Sequence, residues 1–486
     1  MKKYFTILVF FVIFLSFQTA VYGQENLVEK PNIVLIIGDD IGIEGIGCYG
    51  NDQVKTPNID RMAKEGLRFT NAYVTTSSCS PSRCSIISGR YPHNTGAAEL
   101  HTSLPPEVPI FPELLKSAGY FTAQAGKWHM GESAKRGFDV VHENVKENGD
   151  GGEEMWVSTI RGRPKDKPFF LWLASYDAHR PWGPNKFSES NSPDKITLPP
   201  YLADAPKTRE DLGKHFDEVT RLDSNIGMVE SELKRQGVLE NTIIIIMSDN
   251  GIPFPRAKTR VYNSGTQTPF ILKWNKGIKQ KGKVCSSLLS SVDIAPTILE
   301  WGGVKIPASF QGNSFAKLVK DPSLKFREYV FTEHNWHDYE ALERMVRTKD
   351  FLYVLNMRPQ LSNPGPADAT SSPSFQDLKD LRDSGKLTQA QKDVFIVPRP
   401  VEELFDCRKD PLQIANIASL PDYSDELKNL RQVMKKWQKE TDDSNPGTLT
   451  KDWYNRENGQ PLQTKGIRGE MPGGVKAISS LGKGPF

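Results

Sequence analysis

The sequence predicts an α/β protein built on a doubly wound, mostly parallel central sheet. Three observations predict it: apolar runs that do not alternate, polar clusters where each run stops, and helical segments between them. Pro31-Asn32-Ile33-Val34-Leu35-Ile36-Ile37 is such a run, and it ends in Gly38-Asp39-Asp40. Continuous β-branched stretches read as central strands covered on both faces. A second run, 242–247, stops at Ser248-Asp249-Asn250-Gly251. A third, 168–175, leads to Asp177 and His179, and a fourth, 120–125, to Gly126-Lys127-Trp128-His129. Open α/β sheets bind ligands at the carboxyl ends of their strands, so four polar clusters are expected on one rim.

Between the runs, helices are predicted from Thr56-Pro57, with proline in the first turn, and over 112–117, 209–236 and 293–301. Alternation of strand and helix is what a doubly wound sheet requires. After about Pro322 the chain becomes polar and turn-rich. Short strands are expected at 329–333, 353–355 and 401–406, with a loose Pro/Ser/Ala stretch at 362–373. An amphipathic helix is expected over 422–439, with Leu427, Leu430, Val433 and Trp437 at helical spacing. The expected organisation is a catalytic α/β domain at 24–322 and a small C-terminal α+β subdomain at 323–486, irregular beyond Asn445.

Residues 1–23 read as a secretory signal peptide. Lys2 and Lys3 precede an apolar run at 4–17, and Val21-Tyr22-Gly23 offers a small residue before Gln24. The run is short for a membrane span, and no cysteine near the cut offers lipid attachment. An exported protein, periplasmic or secreted, is expected. With 62 basic and 59 acidic side chains there is no global field for nucleic acid or anionic lipid, so an anionic substrate must be gripped locally. Five cysteines (Cys48, Cys79, Cys84, Cys285, Cys407) are too few for a disulfide scaffold, and their odd number leaves one thiol for another fate.

Chemistry concentrates in Ser78-Cys79-Ser80-Pro81-Ser82-Arg83-Cys84-Ser85-Ile86-Ile87-Ser88-Gly89-Arg90. By itself, a cysteine before a helix start fits a thiol nucleophile or a small buried apolar residue. The segment resembles the signature of the type I sulfatases, in which the cysteine of Cys-x-Pro-x-Arg is oxidised to formylglycine, and the match runs on through Ser-Gly-Arg. Asp39, Asp40, Asp249 and Asn250 form an all-oxygen set suited to a hard cation, Ca²⁺ or Mg²⁺. One aspartate at a strand end is usually a turn or cap residue, but two adjacent pairs on matching strands are not explained that way.

The resemblance implies one Ca²⁺ ion held by those four residues together with formylglycine at Cys79. It assigns Arg83 to the formylglycine hydrate and Lys127 to the sulfate and formylglycine. His129 is assigned to proton removal and His179 to the leaving-group side, tasks suited to the titration range of histidine. His93, His142 and His215 carry no comparable case and are expected to be structural or surface residues. A further cation is expected after the Asp249-Asn250 pair, where Arg256 and Lys258 both qualify and spacing favours Lys258.

Within the family the sequence is most similar to the N-sulfoglucosamine sulfohydrolases, on 77–83, 248–255 (Ser-Asp-Asn-Gly-Ile-Pro-Phe-Pro) and 374–378 (Ser-Phe-Gln-Asp-Leu). The implied fold is the alkaline-phosphatase-like sandwich with a small C-terminal sheet. Lys258 stands where those enzymes place arginine, so N-sulfated glucosamine and an O-sulfated sugar, such as an algal one, both remain open as substrates. The implied partners are a sulfated oligo- or polysaccharide and a formylglycine-generating or sulfatase-maturing enzyme. His101, Trp182, His334, His337 and Arg344 are the candidate sugar contacts. Of the alternatives, a phosphatase or phosphodiesterase of the same superfamily would carry Ser or Thr at position 79 and more His/Asp metal ligands. A silent glycan-binding module would not need the aspartate pairs, Lys127 and both histidines together.

Overall fold

The computed structural model describes residues 30–184, 192–473 and 478–486; the leader expected at 1–23 lies outside them. Fourteen strands form three sheets. In chain order they are β1 (Asn32–Gly38), β2 (Leu67–Phe69), β3 (Ala72–Tyr73), β4 (Phe121–Gly126), β5 (Val140–His142), β6 (Phe169–Ala174) and β7 (Thr242–Ser248). There follow β8 (Phe270–Lys273), β9 (Lys283–Cys285), β10 (Leu289–Ser290), β11 (Val330–His337), β12 (Tyr339–Arg347), β13 (Phe351–Asn356) and β14 (Glu402–Asp406). The large sheet has the order β5-β4-β6-β1-β7-β8-β2-β9 and is parallel from β5 to β7; β8 runs antiparallel to both its neighbours.

The four apolar runs are the four adjacent strands β4, β6, β1 and β7. Each is covered on both faces, which is why their sequences do not alternate. Ile33, Leu35 and Ile37 point into one core layer, with helices Cys79–Ser88, Phe111–Ser117 and Ile294–Trp301. Val34 and Ile36 point into the other, with helices Pro57–Glu65, Glu154–Gly162 and Pro206–Arg235. The result is the alkaline-phosphatase-like sandwich that the resemblance implied.

The C-terminal sheet is antiparallel, β11-β12-β13-β14. Helix Ser424–Glu440 buries Leu427, Leu430, Met434 and Trp437 on one of its faces, against Phe331, Val346, Tyr353 and Leu404. The other face, through Met345, Leu352, Val354 and Phe405, covers Val261 and Tyr262 of the large domain. Within this sheet, strand β12 is the one absent from the sequence reading, as β2, β3, β5, β8, β9 and β10 are elsewhere. Tyr-Glu-Ala-Leu-Glu-Arg-Met-Val-Arg is rich in helix formers, and its pairing with β11 and β13 overrides that propensity. The stretch 362–373 is also more ordered than expected, holding a short helix at Ala367–Thr370, and helix Pro373–Asp383 follows directly. Among the described residues, no helix is long and apolar enough to cross a membrane.

Candidate active site

The parallel strands deliver their polar termini to one rim. Asp39 and Asp40 follow β1, Lys127 and His129 follow β4, Asp177 and His179 follow β6, and Asp249 and Asn250 follow β7. Close approach of the strands is built in at Gly126, whose φ is +94° and where an added Cβ would lie 1.8 Å from the Ala174 carbonyl oxygen. The backbone amides of Asp39 and Ala178 bond to the carbonyls of Asp177 and Asp39 at 2.8 and 2.6 Å, so these two termini are stitched together.

Cys79 opens helix Cys79–Ser88, which is buried along its whole length and ends in a left-handed Gly89. Its Sγ lies 3.7 Å from Asp40 Oδ1, and Asn250 Nδ2 donates to that same oxygen at 2.6 Å. One ligand atom each from Asp39, Asp40 and Cys79 falls within a 4.8 Å group. Arg83, one turn into the helix, donates from Nε to Asp249 Oδ2 at 2.8 Å and lies 3.7 Å from Asp39 Oδ1 through its terminal nitrogen. Lys127 Nζ pairs with Asp39 Oδ2. Lys258 Nζ pairs with Asp40 Oδ2 at 2.7 Å. His179 Nε2 stands 3.8 Å from the same Asp40 oxygen.

Arg256 and Lys258 are separated by geometry. Lys258 is fully buried in the cluster. Arg256 turns away to the carbonyls of Leu412, at 3.0 Å, and Gln413, and its guanidinium lies 4.4 Å from the Tyr262 ring centre. Arg256 and Thr259 adopt positive φ, 65° and 69°, and Thr259 N bonds to Ser77 O at 3.0 Å. The loop carrying Lys258 is thereby tied to the Cys79 helix at one end and to the C-terminal sheet at the other. Asp40, His101 and His129 also have φ near +60°, so among the described residues five of the eight non-glycine residues with positive φ gather at this rim.

Burial sets the charge states. It pushes the Cys79 thiol well up, against the opposing pull of Lys127 and Lys258, which makes the residue as encoded a poor thiolate nucleophile. Burial, the largest influence, likewise opposes ionisation of Asp39, but Lys127, His179 and Arg83 together outweigh it and the carboxyl sits below its ordinary range. Burial disfavours the charge on Lys258, yet its acidic neighbours together, Asp40 foremost, raise its pKa well above the usual value. His129 is held well below the ordinary range by burial and then by Lys127. Asp39, Asp40 and Asp249 face three basic side chains, Arg83, Lys127 and Lys258, and burial raises the Asp249 carboxyl above its ordinary range. Asp39 Oδ1 and Asn250 Oδ1 are buried without a hydrogen-bond partner among the described residues, the condition expected of oxygens meant for a cation.

Among the candidate sugar contacts, His101 is on the rim: its Nδ1 is 2.7 Å from His129 Nε2. His337 is buried behind it, with Nδ1 2.8 Å from Ser78 Oγ. Trp182 is partly exposed, its indole nitrogen donating to Asp211 at 2.8 Å. His334 and Arg344 must be corrected, because both point into the protein. His334 is buried, and burial holds it at a pKa of about 4. Arg344, 1% exposed, grips both oxygens of Asp443 at 2.8 Å and the Asn335 side chain at 2.9 Å. It forms a buried ion pair of the C-terminal sheet. Arg344→Ala is therefore expected to cost about 3–5 kcal/mol, by stranding Asp443, and to leave KM unchanged. A urea unfolding midpoint alongside a KM measurement checks this.

His93 and His215 are structural, as expected: His93 Nδ1 pairs with Glu333 at 2.9 Å, and His215 Nε2 bonds to the Asp40 carbonyl at 3.0 Å. His215 thus buttresses a cluster residue from behind, a link invisible in a helix-interior histidine read alone. Asp368 was also missed. It belongs to no strand end, yet its Oδ2 lies 3.7 Å from Lys258 Nζ and 3.8 Å from His179 Nε2. All five cysteines are free.

The sulfatase family profile matches residues 31–304, and the profile described as N-sulphoglucosamine sulphohydrolase, C-terminal, matches residues 256–355. The human N-sulphoglucosamine sulphohydrolase is 31% identical, over 85% of this chain and 90% of that protein. An ulvan-active sulfatase of Formosa agariphila is 30% identical, over 90% of this chain and 80% of its own. A solved structure in complex with its substrate, D-glucosamine-2-N,6-O-disulfate, superposes with a TM-score of 0.65 at 21% identity, over 85% of this chain and 98% of that one. A buried cysteine at the mouth of an acidic, cation-matched cluster on an alkaline-phosphatase-like sheet defines a class of hydrolase for anionic esters. This chain belongs to the sulfatase family, whose members are sulfuric ester hydrolases.

Proposed function

We propose that the protein removes sulfate from sulfated saccharides at a formylglycine formed from Cys79, with N-sulfated glucosamine as the sugar. One observation carries the reading: the Cys79 sulfur lies 3.7 Å from Asp40 Oδ1, inside a cluster of three aspartates, one asparagine, two lysines and one arginine. Asp39, Asp40, Asp249 and Asn250 would hold a divalent ion, Ca²⁺ by the hardness of the donor set. When bound, the ion supplies screening of the substrate charge and Lewis-acid polarisation of a sulfate oxygen. A hydrated aldehyde at residue 79 supplies one hydroxyl to attack sulfur and a second to expel the sulfate afterwards.

The chain's own residues do the rest. The three carboxylates are already matched by Arg83, Lys127 and Lys258, so a divalent ion leaves the site net positive and receptive to an anion. Lys127, paired with Asp39, and Lys258, paired with Asp40, would clamp sulfate oxygens. Burial beside Lys127 favours neutral His129, the form that accepts a proton from the attacking hydroxyl. His179, on the opposite side of the cluster and 32% exposed, would deliver a proton to the leaving atom. The N-sulfate assignment is supported by the C-terminal profile and by the human relative. An O-sulfated sugar is the second reading, favoured by Lys258 in place of arginine and by the ulvan-active relative. Export rests on residues 2–23, and maturation on an enzyme that oxidises the cysteine.

Mass spectrometry of the protein, co-expressed with a maturing enzyme, is expected to give an aldehyde at residue 79 and an N-terminus at Gln24. Sulfate release is expected from N-sulfated glucosamine, with an aryl sulfate turned over far faster than an aryl phosphate. An unmodified thiol in active protein, or preference for the phosphate, would sink the mechanism. Release from O-sulfated sugars alone would reject the N-sulfate assignment.

A further inference from the structure

We infer that Asp368 selects substrates whose leaving atom is nitrogen rather than oxygen, a deepening that rests on the reading of the site as a sulfatase centre. The carboxylate is placed by its own backbone: Oδ1 accepts the N–H of Ala369 at 2.7 Å, which aims Oδ2 at the cluster. Oδ2 lies 3.8 Å from His179 Nε2 and 3.7 Å from Lys258 Nζ. Both separations exceed a hydrogen bond. Lys258 has a nearer partner in Asp40, at 2.7 Å, so Asp368 is not consumed by it. Asp368 also forms part of the wall of a cavity of about 530 Å³, shared with Arg180, Trp182, Lys207 and Ser371, large enough for a sugar unit. The side chain is 25% exposed, so it is available to a ligand.

His179 Nε2 marks where the leaving atom takes its proton. An atom within hydrogen-bond reach of it on the Asp368 side also meets Asp368 Oδ2, 3.8 Å from that nitrogen. The chemistry of that atom decides whether a carboxylate there helps. In an O-sulfate the bridging oxygen carries lone pairs and no hydrogen, so it meets the carboxylate as one acceptor meets another. In an N-sulfate the bridging nitrogen carries an N–H that the carboxylate accepts. As the S–N bond breaks, its electron pair stays on nitrogen, sulfur passes to the oxygen nucleophile at residue 79, and nitrogen takes the His179 proton. The amine produced goes on to an ammonium, which the carboxylate stabilises further. Asp368 therefore favours the sulfamate in the ground state, in the transition state and in the product.

The test compares wild type with Asp368→Asn, which is isosteric and keeps an acceptor for Ala369 N–H. Sulfate release is followed from N-sulfated glucosamine and from 6-O-sulfated N-acetylglucosamine. The ratio of kcat/KM, N-sulfate over O-sulfate, is expected to fall about 10- to 100-fold, the effect of one charge-assisted hydrogen bond. Calorimetry reads the same contact without turnover: glucosamine should bind the variant about 10-fold more weakly, and N-acetylglucosamine equally well. A melting temperature within a few degrees of wild type establishes that the variant is folded; if it is not, Asp368→Ser replaces it in the same assays. An equal loss on both substrates would overturn the proposal, because Asp368 would then act only by orienting His179 and Lys258. An unchanged ratio would overturn it too, as would a wild type that acts on O-sulfates alone. Wild type with the aldehyde in place and no release from any sulfated sugar would instead overturn the sulfatase reading itself.

Discussion

Cys79→Ala is expected to abolish sulfate release, by about 10⁴- to 10⁶-fold, while leaving the protein folded. The two effects separate because the sulfur does little packing work that alanine cannot do. Cys79 is 1% exposed, and its Sγ makes only a long contact, 3.7 Å, with Asp40. Losing one buried atom costs about 1 kcal/mol, a small part of the stability of a domain of this size. Cys79→Ser sharpens the point. A serine hydroxyl fits the same space and can attack sulfur once, but it lacks the second hydroxyl that expels sulfate, so release should stop at or below one equivalent of leaving group per protein. Rapid-quench measurement of leaving group against enzyme concentration checks it. Sustained turnover by either variant would mean that residue 79 is not the nucleophile, and the aldehyde would have no role.

Much of this site was legible because parallel α/β sheets convert sequence order into spatial convergence. Strand ends at Gly38, Gly126, Ala174 and Ser248 are far apart in the chain, yet the order β4-β6-β1-β7 puts them side by side. A polar residue just after a buried apolar run therefore has its address written locally. The same logic fails for residues delivered by other means. Asp368 reaches the cluster on a short helix in the connection between β13 and β14, with no apolar run before it to announce a position. Arg344 was misjudged for a related reason: a charged residue in a turn-rich segment reads as surface, and only the β12 pairing, with Asp443 closing over it, turns it inward. The choice between Arg256 and Lys258 was equally beyond the sequence. Two cations two residues apart in a loop differ only in the backbone path between them, and here Arg256 and Thr259, at positive φ, bracket the lysine and turn it into the cluster.

Removing divalent metal is expected to have the second largest effect, reversibly eliminating turnover and lowering the melting temperature. Three carboxylates from two strand ends meet in a fully buried volume. Lys127, Lys258 and Arg83 balance their charge, yet Asp39 Oδ1 and Asn250 Oδ1 accept no hydrogen bond among the described residues. Each such oxygen carries a desolvation cost of about 1–3 kcal/mol that a cation would relieve. Binding to the folded state alone stabilises by RT ln(1 + [L]/Kd), about 2.7 kcal/mol at a hundredfold excess of Ca²⁺ over its Kd. A chelator should remove that increment, and added Ca²⁺ should restore it together with activity. Asp40→Asn is the control that ties the effect to this cluster. Asparagine tolerates the positive φ of 59° and keeps the shape, but it deletes one anionic ligand and leaves Lys258 short of its nearest partner. In that variant the melting temperature should no longer respond to Ca²⁺ or to chelator, and turnover should fall by at least about 10³-fold, as expected when an electrostatic element of a catalytic centre is lost. A wild-type melting curve and rate both indifferent to exhaustive chelation, with metal analysis finding no bound ion, would remove the cation from the site and leave the paired aspartates to bind Lys127, Lys258 and Arg83 alone.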